Sequence, residues 1–480
     1  MVSTTMHFMP GCEILQSFDL VHWEHATYVY ETLDHTDAQQ LKSGQNIYGQ
    51  GMWAASLRYH EGRFYICFVA NDTRKTYLYT SEKIDGPWKK QLIEGFYHDG
   101  SLLFDEDGRN YIVYGNDEIW ITELNEDLTA PKKDGLHRLL VSDHKNPELG
   151  YEGSHIQKIN GYYYIFLIHS LRDRWMRTEA CFYSDSLEGE FTGGDVLCDD
   201  RGYCGQGVAQ GGIVDTPDGK WYAMLFQDSG AVGRIPILLP VTWKDHFPVF
   251  GQNGHVPEEI EVHSTRPGYI YQPLVGSDDF CNGLLPRWQF NHDPDPRYYH
   301  LDALQGTYTI TTREVCTELT QAVNTLTQRM SYPSCAAEVT VDASALKEGD
   351  VAGLCAFQGC YAAVGITKHH GKYEVLMLDK KEDGILDMTE GTVVESHQMD
   401  FRLEADFCNM KDEARCYYRV NKGDWLPIGT VHKLYFKLDH FTGCRFGLFC
   451  YAAEETGGSA CFRDFKYYDV DEIKKLRYFY

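Results

Sequence analysis

Residues Tyr151 to Leu167 read YEGSHIQKINGYYYIFL, and this phrase decides the fold. A carboxylate, Glu152, stands nine residues ahead of Gly161, which is followed by a run of aromatic and β-branched side chains. Glycine accepts the positive φ of a tight turn, and Tyr162 to Leu167 has strand composition. The stretch therefore reads as strand, turn, strand, with an acid near the start of the first strand. The same phrase recurs along the chain. Trp53 stands nine residues before Gly62 in WAASLRYHEGRFYICF, Asp99 nine before Gly108 in DGSLLFDEDGRNYIVY, and Gln210 nine before Gly219 in QGGIVDTPDGKWYAML. A hairpin unit recurring at intervals of about fifty residues is the signature of a β-propeller blade.

The repeat phase sets blades at roughly 1–48, 49–95, 96–148, 149–205 and 206–265, five in all, with the first incomplete. YLYTSEKIDGPWKKQLI (77–93) and ACFYSDSLEGEFTGGDVL (180–197) end their blades in a strand, a Ser-containing polar turn and an aromatic, and SFDLVHWEHA (17–26) is the same ending. The chain thus opens inside a blade. The strand that carries Trp53, Asp99, Glu152 or Gln210 in the other blades is expected before Met1, which leaves Val2 to Thr5 as an unpaired strand at the axis. GRIPILLPVTWKDHFPVFG (233–251) closes the last blade, and 266–278 reads as a linker that packs the second domain on the first. From Asp279 the phrase disappears and alternating strands such as TYTITT, AAEVTV, YEVLML and RCYYRV take over, predicting an antiparallel β-sandwich over 279–480. DVDEIKKLRYFY at the end reads as a short helix.

The formal charge of −26 excludes nucleic acid and anionic membrane as partners, since both require a basic patch. Aromatic residues, 14% of the chain, suit packed sheets and stacking surfaces. Fifteen cysteines without a CxxC pair suggest neither zinc nor a disulfide framework at this length, and point to mostly free thiols in a reducing cytoplasm. No signal peptide follows Met1, although a signal lost with the upstream strand is compatible with this reading.

In a propeller the inner strands converge on the axis, so Asp99 and Glu152, equivalent by phase, are expected to approach each other. Two carboxylates in an aromatic pocket are the equipment of glycoside hydrolysis, one protonated to donate and the other acting as base or raising its neighbour's pKa. The bland alternative is a pair of turn-forming or exposed acids. Trp53 reads equally as a core tryptophan, and Asp105-Glu106-Asp107 as a solvated turn. His155 faces the same way as Glu152 only if strand alternation slips at that point. Phe357 and Tyr361 read either as core or as a loop closing the mouth of the site.

The segments STTMHFMPGCEIL, GMWAASLRYHEGRFYI, YHDGSLLFDEDGRNYIVYG, YEGSHIQKINGYYYIF, AQGGIVDTPDGKWYAMLF and GRIPILLPVTWKDHFPVFG resemble glycoside hydrolase family 43, as do NTLTQR (324–329), AGLCAFQGCYAAVG (352–365) and FGLFCYAAEETGG (446–458) in its branch with a C-terminal β-sandwich. The resemblance covers nearly the whole chain. It implies an all-β five-bladed propeller followed by a concanavalin-like sandwich, acting as an inverting exo-glycosidase on β-xylosides or α-L-arabinofuranosides. It implies that Glu152 is the general acid and that Asp99 tunes it. Arg234 is implied to reach the sugar, with Trp53, Phe8 and Met9 as apolar walls of the innermost subsite. Gln210 at the channel centre and Phe357 complete the substrate-binding set. The family's general base is an aspartate on the first inner strand, which no residue of this chain matches, so the rival reading is a catalytically impaired sugar-binding propeller. Where many relatives carry a histidine linked to calcium this chain has Gln210, so no cofactor is expected. The partner implied is a small oligosaccharide, with the chain alone or as a homo-oligomer.

Overall fold

Each repeated phrase folds as the inner hairpin of an antiparallel sheet. Met52–His60 pairs with Arg63–Ala70, Ser101–Phe104 with Asn110–Asn116, Glu152–Ile159 with Tyr162–Ser170, and Ala209–Asp215 with Trp221–Asp228. Two further strands complete each of these four sheets, so these four blades have four strands each. The computed structural model describes residues 1–477; Tyr478–Tyr480, the end of the segment expected as a helix, lie outside the described residues, and the helix itself runs Val470–Arg477.

The turns differ in a way that the count from the glycine does not register. His60 pairs with Arg63 around Glu61-Gly62, and Ile159 with Tyr162 around Asn160-Gly161; both loop residues have positive φ in each, the mirror-image turn that suits twisted strands. Phe104 instead pairs with Asn110, and Asp215 with Trp221, around longer loops in which Gly108 and Gly219 come fourth. The first sheet holds three strands, Val2–Ser3, Gly11–Gln16 and Glu24–Tyr30. Val2–Ser3 is not the unpaired strand expected. It pairs with Gly11–Gln16, and Met6, just beyond it, accepts at 3.2 Å from the backbone N–H of Met52 in the second blade.

The blades are tied across the axis by polar side chains. The buried guanidinium of Arg58 donates to the carbonyls of Leu57, Leu102 and Ile156 and to Ser101 Oγ, at 2.6–3.0 Å, joining blades two, three and four. Asp105, expected in a solvated turn, is buried. It accepts from Lys158 Nζ and Tyr163 Oη, both at 2.6 Å, because the next blade presents donors where water was anticipated.

The sandwich comprises, among the described residues, sheets of nine and seven strands over a core that includes Phe280, Trp288, Tyr308, Leu354, Phe446 and Phe462. The preceding segment lies against the first blade, with Thr265 N donating to Phe18 O at 2.7 Å and Gln272 N to Glu24 Oε2 at 2.8 Å. The two domains also share a strand. Phe8–Met9 pairs with Gln289–Asn291 and forms the edge of the nine-stranded sheet. This overturns three expectations about sugar contact. Phe8 is fully buried under the Arg445 guanidinium at 3.8 Å and against Phe357 at 6.0 Å. Phe357 and Tyr361 are themselves without exposed surface, and Met9 packs in the propeller core with Met52 and Tyr30. Phe8, Met9 and Phe357 are therefore packing residues at and beside the domain junction, not walls of a subsite, because the shared strand draws them inward.

Removing a buried ring leaves a cavity, so Phe8→Ala should cost about 3–5 kcal/mol. Because Phe8 belongs to both domains, calorimetry should show one unfolding transition that moves as a whole. A sandwich melting at its original temperature beside a shifted propeller would show that the junction does not couple them.

Candidate active site

Every complete inner strand carries an extra residue near its start. The pairing advances three residues against two between Trp53 and Ser56, between Glu152 and His155, and between Ala209 and Gly212. His98 O accepts from Gly115 N while Ser101 pairs with Val113, which is the same bulge in the third blade. Register therefore matches Trp53 with His98, Glu152 and Ala209. It matches the following residues, Ala54, Asp99, Gly153 and Gln210, with one another, and all four have positive φ, between 45° and 69°. Asp99 and Glu152 are thus neighbouring rather than equivalent positions, a correction of one residue that the longer third-blade turn explains. They still meet, because Asp99 Oδ2 accepts from Gly153 N at 3.0 Å, in the bulge that holds Glu152. A Cβ on Gly153 would lie 2.7 Å from the Gln210 side chain, so the three bulges interlock and glycine is required there.

The bulge also slips the alternation, which places His155 on the same face as Glu152, since their partners Phe166 and Ile168 share a face. Burial, helped by the Arg58 charge, holds the His155 imidazole down at about 3, so it is neutral.

The Glu152 side chain is 20% exposed, accepts from Asn116 Nδ2 at 2.7 Å, and lies 3.7 Å from His98 Nε2. His98 Nε2 is also 3.7 Å from Asp99 Oδ1. Burial pushes His98 down, but the Asp99 and Glu152 carboxylates outweigh it and raise the imidazole to about 9. Burial raises Asp99 to about 6, with the Glu152 charge adding to it and the His98 cation opposing it. Burial also acts upward on Glu152, but its bond to His98 and the charges of His98, Arg234 and Arg177 hold it below the usual carboxylate value. Burial thus raises the deeper carboxyl, Asp99, while the surrounding cations hold the shallower one, Glu152, down.

Arg234 Nε lies 3.3 Å from Asp228 Oδ1, and Arg177 binds the other Asp228 oxygen, so one buried carboxylate holds two guanidinium groups beside Glu152. Burial lowers Arg234 to about 10, with Arg177 lowering it further and Asp228, Glu152 and Asp99 opposing. Its guanidinium is sandwiched between Phe226 at 4.3 Å and Phe441 at 4.2 Å. Phe441 comes from the sandwich, where Cys444 N donates to Ala231 O at 2.8 Å and fixes the loop against the fifth blade. The Phe441 ring meets Trp53 edge-on at 5.0 Å. Trp53 is half-buried, and its Nε1–H is itself buried without a partner among the described residues.

The structure thus gathers Glu152, Asp99, Arg234 and Trp53, with Gln210 behind Gly153, its backbone N–H held at 2.7 Å by Glu179 Oε2. His98, Asn116, Asp228 and Phe441 complete the site and were not anticipated. His98 had a signal, since it directly precedes Asp99 in YHDG and matches Trp53 and Glu152 in register; Phe441 had none, because only tertiary packing brings it there. The ligand atoms of His98, Asp99 and Glu152 lie within 4.8 Å of one another. They do not fit calcium, which takes six or more oxygens, because they offer one histidine nitrogen and two carboxylates.

Residues 1–248 match the family Glycosyl hydrolases family 43, and 277–468 match Beta xylosidase C-terminal Concanavalin A-like domain. The chain is 25% identical to "Beta-xylosidase" of Formosa agariphila, over 98% of this chain and 85% of that one. It is 23% identical to "Non-reducing end alpha-L-arabinofuranosidase" of Bacteroides ovatus, over 81% of this chain and 75% of that one. Among solved structures it is similar to the bifunctional GH43-CE protein of Bacteroides eggerthii, with a TM-score of 0.89 and 41% identity. That alignment covers 98% of this chain, which spans 60% of the length of the bifunctional protein. A five-bladed propeller whose axis gathers a carboxylate pair, followed by this sandwich, agrees with the sequence match, and the chain belongs to glycoside hydrolase family 43.

Proposed function

We propose that this chain hydrolyses O-glycosidic bonds at the non-reducing end of hemicellulose-derived oligosaccharides, releasing a pentose from β-xylosides or α-L-arabinofuranosides with inversion. The observation that carries the proposal is Glu152, half-sheltered and 2.7 Å from Asn116 Nδ2, with the raised carboxyl of Asp99 beneath it. Glu152 donates the proton to the leaving oxygen. The two carboxyls titrate as a pair whose proton Glu152 delivers, and Asp99, through its bond to Gly153 N, fixes the backbone of the acid. Arg234, flanked by Phe226 and Phe441, presents a rigid donor fork to sugar hydroxyls, and Trp53 with Phe441 forms the apolar wall. Pairing of the acid with a carboxyl raised by burial favours hydrolysis over mere sugar binding. The residues gathered here supply the acid side of the reaction.

Glu152→Gln should lose rate most on substrates with poor leaving groups, by roughly 10²–10⁴, and much less on those with good leaving groups. Steady-state kinetics on the two substrate kinds makes the comparison; equal losses would give Glu152 a structural role.

The acid requires the pair to hold a proton, so kcat/KM on poor leaving groups should fall as pH rises through about 6. Asn at position 99 cannot hold that proton, and Glu152 then titrates alone, below the usual carboxylate value. Asp99→Asn should therefore move the limb to lower pH. A pH profile whose limb stays in place would remove Asp99 from the acid pair.

A further inference from the structure

A general acid stands beside the oxygen it protonates, so whatever the leaving oxygen is attached to lies on the acid's side of the site. On that side the fourth blade turns back at residues 171–176, between Tyr162–Ser170 and Arg177–Ser184. Glu152 pairs with Ile168, and Ser170 pairs with Arg177, so this turn lies at the same end of the sheet as the acid. It carries Trp175, 43% exposed. The ring is backed by the Arg177 guanidinium at 5.4 Å, which binds Asp228 and whose charge acts on Glu152. A buried, anchored cation therefore supports an indole that still shows much of its surface to solvent, at the acid's end of the sheet. Phe96, two residues before His98, differs in that Arg74 lies over its ring at 3.8 Å. The neighbouring Arg174 side chain, 57% exposed, gives one N–H to Asp173 Oδ2 at 2.9 Å and carries further donors.

We propose that Trp175 is the floor of a binding site for a sugar ring on the leaving-group side, one that stacks its C–H face on the indole while Arg174 reaches its hydroxyls. The enzyme then selects for a leaving group that is itself a sugar, the next residue of a pentose oligosaccharide, over a small alcohol. This inference rests on the hydrolase reading above and deepens it by naming the far side of the scissile bond.

The test compares the full chain with Trp175→Ala and Trp175→Phe on a pentose disaccharide and on the matching glycosyl fluoride, whose leaving group ends at the scissile bond. Trp175→Ala should lose about tenfold in kcat/KM on the disaccharide, as expected for one stacking contact, and stay within about twofold on the fluoride. Trp175→Phe should recover most of the loss. An equal loss on both substrates, or none on the disaccharide, overturns the proposal. If the unaltered chain turns over neither, the hydrolase reading fails separately. Calorimetric titration with the disaccharide and the free pentose then decides: a weaker disaccharide affinity in Trp175→Ala with pentose affinity unchanged supports the site, and an unchanged disaccharide affinity overturns it.

Discussion

One extra residue per inner strand is the constraint on which the rest depends. Ala54, Asp99, Gly153 and Gln210 all hold a left-handed backbone at the same place in successive blades. For a residue other than glycine that conformation carries a cost of order 1–3 kcal/mol, which the surrounding sheets must hold in place. What the bulge provides is direction. Without it, residues three apart would face opposite sides of the sheet; with it, Glu152 and His155 share the channel face, and Gly153 N is free to meet Asp99. The carboxylates come together because the backbone of one blade is bent where the side chain of the next can bind it.

Charge is handled by the same economy of placement. Two carboxylates, a histidine and two arginines crowd the axis, and no simple pairing satisfies them all. Asp228 neutralises part of the Arg177 and Arg234 charge, and His98 stands 3.7 Å from each carboxylate of the pair. What remains is an arrangement in which the deeper carboxyl is raised and the shallower one lowered by cations, so that environment rather than residue type assigns their roles.

The repeat, the five blades and the change of texture near Asp279 were legible because propeller hairpins leave a periodic trace in one dimension. Glu152, Asp99, Arg234 and Trp53 could be named from that trace and the family segments together. The phase error between Asp99 and Glu152 arose because a turn glycine marks the far end of the hairpin, and loops of different length shift every count made from it. Phe8, Met9 and Phe357 were misread for another reason. An aromatic beside a proline looks alike whether it lines a cleft or seals a junction, and the pairing of Phe8 with Asn291 has no local signature. Asp105 shows the same limit, since its partners Lys158 and Tyr163 belong to the next blade.

Phe441 has a consequence in time as well as in space. It lies far along the chain from Trp53, yet the two rings touch, and Arg234 is covered on one face by the same phenyl group. During synthesis the propeller leaves the ribosome first and can begin to fold as a unit. Its pocket nevertheless lacks a wall until the loop around residue 441 has emerged and docked on Ala231. The nascent protein therefore carries its acid long before it carries a closed binding pocket, and the pocket is walled only after residue 441 of the second domain has been made and docked.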